Sequence, residues 1–134
     1  METAIINSED LYFEHKQWMR EIAFWEQELA FFRKHLEPLV RTTSDKAALA
    51  GIDHFENQFK IHSSRIQEFK DAIENHQQNL AAHAKAHVNS IDRLHYKKHV
   101  GLRDKIGCER ELYQDLKKEY YKFLAQFIAR DVTL

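Results

Sequence analysis

Residues 52–87 read IDHFENQFKIHSSRIQEFKDAIENHQQNLAAHAKAH, and their spacing decides the fold. Ile52, Phe55, Phe59, His62, Ile66, Phe69, Ile73, His76, Leu80, His83 and His87 follow one another in alternating steps of three and four residues. At 3.6 residues per turn such a row stays on one face of an α-helix, and it has the period of a coiled-coil seam. No helix breaker interrupts it, and Gly51 stands just before it.

Downstream, Asn89-Ser90 supplies two good cap residues, with Asp92 in the following first turn. The seam then continues through Ile91, His95, His99, Leu102, Ile106, Glu109, Tyr113, Leu116, Tyr120, Phe123 and Phe127. Gly101 and Gly107 weaken this helix by about 1 kcal/mol each relative to Ala. Upstream, Leu11, Trp18, Trp25, Phe32 and Leu39 recur every seven residues, flanked by Glu14/His15, Glu21/Ile22, Glu28/Leu29 and His35/Leu36. Asn7 or Ser8 can cap this first helix, and Glu9 and Asp10 suit its positive end. Pro38 disfavours helical geometry at Glu37, so the helix is expected to end there, with a turn at Arg41–Asp45 and Ser44 capping the next helix.

Composition agrees. Three glycines and one proline in 134 residues leave no turn chemistry for a β-rich fold. The length suits one domain spanning residues 1–134. A net charge of −1 argues against a nucleic-acid partner, and no apolar run approaches the ~18 residues of a membrane span. The opening METAIINSED has neither the basic nor the apolar region of a signal peptide, and the single Cys108 cannot form an internal disulfide. A cytoplasmic location is expected. Cys108 has no evident base or oxyanion partner, and no phosphate-binding glycine loop exists.

The fold class is therefore all-α, an antiparallel up-down helical bundle, and two packings fit. In one, a long helical hairpin turns at Asn89-Ser90. His83 then faces His95, Leu80 faces His99, Ile73 faces Ile106, Phe69 faces Glu109 and His62 faces Leu116. The N-terminal helix would place Trp25 on Phe59, Ile22 on His62 and His15 on Phe69. The hairpin tip would then extend some 20 Å past it, at 1.5 Å per residue, inviting a second subunit and a homodimer. In the other packing the chain turns near Asn75–Asn79 and Gly101 into a four-helix bundle. The unbroken seam favours the hairpin.

Five of the nine histidines lie between His76 and His99. His83/His87 and His95/His99 are four apart, so each pair shares a helix face and can chelate one ion; Asp92 and His95 are three apart. If the hairpin holds, His83, His87, His95 and either His99 or Asp92 assemble a four-coordinate site at the tip, with His76 one to two turns below. A transition-metal ion, Zn, Fe, Mn or Cu, is the expected cofactor. A structural reading competes, in which these imidazoles are half-exposed seam residues at a polar dimer contact.

His62 lies among Phe59, Ile66 and Phe69 and should be buried, which requires a hydrogen-bonding partner. Glu21 is the expected one, with Tyr113 a further source of a hydroxyl. The ligand reading of this region groups Glu21, His62 and Glu109 with Glu14, His15 or Glu28; the structural reading is a core histidine satisfied by a carboxylate. The Glu-x-x-His motif of dimetal carboxylate bundles is absent, and so is His-x-x-x-Glu.

Between His83 and Lys105 six Lys/Arg face two Asp, a balance of +4 that could dock an acidic protein partner at the 83–105 tip. The functions this pattern supports are a metal-binding bundle for storage, sensing or oxygen-related chemistry, or a non-enzymatic coiled-coil-like homodimeric interaction module, pH-responsive through its histidines.

Overall fold

A computed structural model of the chain describes residues 8–87 and 93–128. These form α1 (Ser8–Thr42), α2 (Lys46–His87) and α3 (Arg93–Phe123), followed by a π-helical turn at Leu124–Ile128. There is no strand among the described residues, so the all-α expectation holds. Helix α2 runs unbroken through Asn75–Asn79 and α3 through Gly101, where the four-helix alternative placed its turns. The expected turn at Asn89-Ser90, and Asn7, Ile91 and Asp92, lie outside the described residues.

The seam positions form the core. Trp18, Ile22, Trp25, Leu29, Phe32 and Leu36 of α1 pack with Ile52, Phe55, Phe59, Ile66 and Ile73 of α2 and with Ile106, Tyr113, Leu116, Tyr120 and Phe123 of α3. Full burial of each large apolar side chain stabilises by about 1.5–3 kcal/mol, which fixes the faces more firmly than helix propensity can.

Two expectations at the first connection are corrected. Helix α1 passes through Pro38 and ends at Thr42. Pro38 is exposed, while Leu36 is buried and Leu39 packs on the core, so apolar contacts on both sides of the proline carry the helix past its missing hydrogen bond. The cap of α2 is Asp45 and not Ser44: Asp45 Oδ1 accepts from the backbone N–H groups of Ala47 (2.8 Å) and Ala48 (3.2 Å).

The register of α1 is also corrected. Phe32, not Trp25, stacks on Phe59 (centroids 5.4 Å apart), and His15 meets His76 (5.2 Å) in place of Phe69. Both are shifts of one heptad. A slip of seven residues keeps apolar against apolar, so the apolar pattern alone cannot choose between registers. Polar contacts choose. Glu14 pairs with Arg103, Glu21 with Arg110 and Glu28 with Lys117, each carboxylate 89 residues before its cation. That constant difference puts the three pairs in a single register along α1 and α3. The shift also lengthens the contact of α1 with the hairpin. Leu80, one heptad past Ile73, has no exposed surface, so the burial of the hairpin seam reaches one heptad further than expected.

Gly51 is required by a close approach. A Cβ there would overlap the Phe123 ring, which is held between Phe55 (5.2 Å) and Phe127 (5.4 Å).

Candidate metal centre

The register brings three imidazoles from three helices into one layer: His15 of α1, His76 of α2 and His99 of α3. Their relative exposures are 0%, 5% and 0%. One ring nitrogen from each lies within 4.8 Å of the others. His15 Nε2 and His99 Nδ1 are 3.2 Å apart. That is close to the ~3.3 Å separating two ligands of a tetrahedral ion with bonds of about 2.0–2.1 Å. Trp18 stacks on His99 (4.8 Å) and lies 5.3 Å from His15, closing the layer on its apolar side.

The protons of this layer follow from its anchor. Glu14 accepts from Arg103 Nε (2.7 Å) and Nη2 (2.8 Å). That fork holds its carboxyl down at about 2, against the effect of partial burial and with help from His99. An ionised carboxylate only accepts, so His99 Nε2, 2.6 Å from Glu14 Oε1, carries the hydrogen and donates it. Nδ1 of neutral His99 is then a lone pair turned toward His15, whose Nε2–H donates to it in the metal-free state. His15 Nδ1 and His76 Nε2 have no hydrogen-bond partner, with Gln77 a polar neighbour of His15.

Burial, and then the field of His99, lower His15 and His76 to about 4 each. Burial also lowers His99, opposed by Glu14. All three rings are therefore neutral at pH 7, the state in which imidazole binds metal. A carboxylate that accepts from the far nitrogen of a ligating histidine fixes its tautomer and raises its basicity.

The sequence-based candidates fall into three groups. His99 joins the triad, with partners in His15 and His76. His83 and His95, both half-buried, face each other as expected, with ring centroids 4.8 Å apart. His87 ends α2, with its side chain outside the described residues, as is Asp92.

The internal candidates separate. His62 Nδ1 bonds Glu109 Oε2 (2.5 Å), so the partner of His62 is Glu109 and not Glu21. Oε1 of Glu109 lacks a well-aligned hydrogen bond; Arg65 Nε, 3.4 Å away, is a Coulombic contact. Glu21 is taken by Arg110 in a two-pronged pair (2.6 and 2.8 Å). Glu28 accepts from Tyr113 (2.7 Å) and Lys117 (3.0 Å). The seam carboxylates of α1 are thus helix-to-helix pairs, and Glu14 alone touches an imidazole of the triad.

The sequence places His15 and His76 on the helix seams but does not bring them together. Their grouping depends on the α1 register, for which the signal was the matching heptad of Glu14, Glu21 and Glu28 with Arg103, Arg110 and Lys117. Comparison with known protein families, with functionally characterised proteins and with solved structures finds no match.

Proposed function

We propose that this chain is a metal-binding, antiparallel up-down helical bundle of one domain, whose centre is His15, His76 and His99 with Glu14 orienting His99. The observation that carries the reading is the convergence of one buried imidazole from each helix, with ligand nitrogens within 4.8 Å. Three imidazoles without a thiolate suit Zn, Cu or Fe better than Mn, which prefers oxygen ligands. An ion there ties all three helices together, so its role is to hold, store or report metal rather than to turn over a large substrate. The tip set of His83, His87, Asp92, His95 and the internal set of His62, Glu21, Glu109 are secondary to this centre.

The test is elemental analysis of the full chain purified without chelator, with Co2+ and Zn2+ titration of the metal-free protein. About one equivalent per chain is expected, lost in His15→Ala, His76→Ala or His99→Ala. A chain that carries none and takes up none refutes the reading.

A second reading, the homodimeric interaction module, is favoured by a different observation. Phe13, Phe24 and Phe31 are 63%, 55% and 66% exposed. At 100° per residue they fall within about 20° of one another on α1. An aligned aromatic stripe of this kind marks an interaction surface. The solution mass of the chain and of Phe24→Glu/Phe31→Glu tests it: a dimer made monomeric supports the reading, and a monomeric parent refutes it. An acidic partner at the tip would meet less charge than the formal count, since Glu14 neutralises Arg103.

A further inference from the structure

A buried site needs a route by which its ion arrives. The triad is almost without exposed surface, and Leu80, also fully buried, closes the seam above it. A hydrated cation cannot cross such a layer unless its waters are exchanged for ligands along the way.

Two surface approaches lead there. One is a groove of ≈ 800 Å³ between α1 and α2, whose walls include Tyr12, Lys16, Arg20, Glu74 and Gln77, the near neighbours of His15 and His76. It offers two cations and one carboxylate, and no imidazole. The other is the seam between α2 and α3, which continues past the triad to His83 and His95. His83 is one heptad beyond His76 on the same face of α2, about 10 Å along the axis. His95 is one turn before His99 on the same face of α3. The two rings are 4.8 Å apart, come from opposite helices and are half-buried, so they are reachable from solvent while the triad is not. Lys85, Lys97 and Lys98 nearby are exposed, and their repulsion is screened within about 8 Å at physiological salt, whereas a metal–imidazole bond is not.

We propose that His83 and His95 form a transient two-imidazole site that captures the transition-metal ion and passes it to the His15–His76–His99 centre. The inference rests on the metal reading above and adds a kinetic role to two residues outside the final ligand set. Two ligands bind more weakly than three with a carboxylate-backed histidine, so the ion moves inward. Transfer needs side-chain rotation within the α2–α3 seam, past Leu80.

The experiment is stopped-flow uptake of Co2+ by the metal-free full chain, followed by the visible absorption of the bound ion. It compares the parent with His83→Ala/His95→Ala and with Glu74→Gln in the groove. Circular dichroism checks that each variant is folded, and chelator competition gives its equilibrium affinity. The double variant is expected to take up Co2+ about tenfold more slowly, the effect of one lost stabilising contact at the barrier. Its affinity and stoichiometry should match the parent, and Glu74→Gln should leave the rate unchanged. Uptake at the parental rate in the double variant overturns the capture role while leaving the centre intact, as does slowing in Glu74→Gln alone. A double variant that loses affinity and rate together makes the pair part of the final site and also overturns the proposal. A parent that binds no Co2+ removes the metal reading itself.

Discussion

Nε2 of His99 and Oε1 of Glu14 are 2.6 Å apart, and the other oxygen of that carboxylate is gripped by Arg103. The hydrogen bond turns Nδ1 of His99 toward His15 and leaves it as a lone pair. Glu14→Ala removes the orienting group without removing a ligand. Metal affinity is expected to fall by about 10–100-fold with stoichiometry retained, as measured by chelator competition. An unchanged affinity would show that the carboxylate does not support the site.

The metal-free chain should lose stability in mild acid. Burial lowers His15 and His76 to about 4 from an ordinary value of 6.5. Between those values the unfolded chain binds more protons than the folded one. Stability is therefore full above pH 6.5 and falls as the pH drops toward 4, with a proton uptake on unfolding that approaches about two inside that window. Glu14, held at about 2 by Arg103, acts in the same direction at lower pH. Denaturation midpoints measured across the window check this, and a flat profile contradicts it.

Bound metal should reverse part of that loss. An ion at 100 times its dissociation constant stabilises the folded chain by about 2.7 kcal/mol, a rise of several degrees in Tm for a domain of this size. Chelation should return Tm to the metal-free value, and His76→Ala should show no response to either treatment.

The His62–Glu109 pair should matter for stability and not for metal. Glu109 is 1% and His62 5% exposed, and neither belongs to the triad. Glu109→Ala leaves a buried imidazole without its acceptor, an expected loss of about 1–3 kcal/mol by denaturant titration. Metal content should stay at the parental level; its loss would place the ion at the internal site instead.

Two glycine substitutions should move stability in opposite directions. Gly101→Ala meets nothing within 4 Å and gains helix propensity, about 0.5–1 kcal/mol. Gly51→Ala gains the same propensity but drives a methyl into the Phe123 ring, at an expected net loss of about 1–3 kcal/mol. Thermal unfolding of the two variants reads the difference directly.

The helices and their buried faces were legible because period, burial and helix geometry are three views of one pattern. Every described seam position from Ile52 to Leu80 is buried or half-buried. The opposition of His83 and His95 was legible from the continuous seam through α2 and α3. The α1 register was not legible from the apolar seam, since moving Trp25 or Phe32 onto Phe59 buries an aromatic ring either way. Pro38 on its own predicts a shorter α1, and Leu36 and Leu39 supply the tertiary contacts that outweigh this local break. The site inherited that uncertainty. His99 was named, but its partners depended on a heptad that only side-chain pairing between α1 and α3 could set.

The 89-residue offset between Glu14, Glu21, Glu28 and their cations has a kinetic consequence. The α2–α3 face can zip from His83 and His95, which are only twelve residues apart, through contacts that are short-range at first. The α1–α3 face closes only when the two ends of the chain meet, and contacts so distant in sequence form slowly. Side chains on that face should then act mainly on the unfolding rate, as interactions absent from the folding transition state do. Because the triad takes one histidine from each helix, it exists only after this last face has closed, so retention of an ion there would report completed assembly.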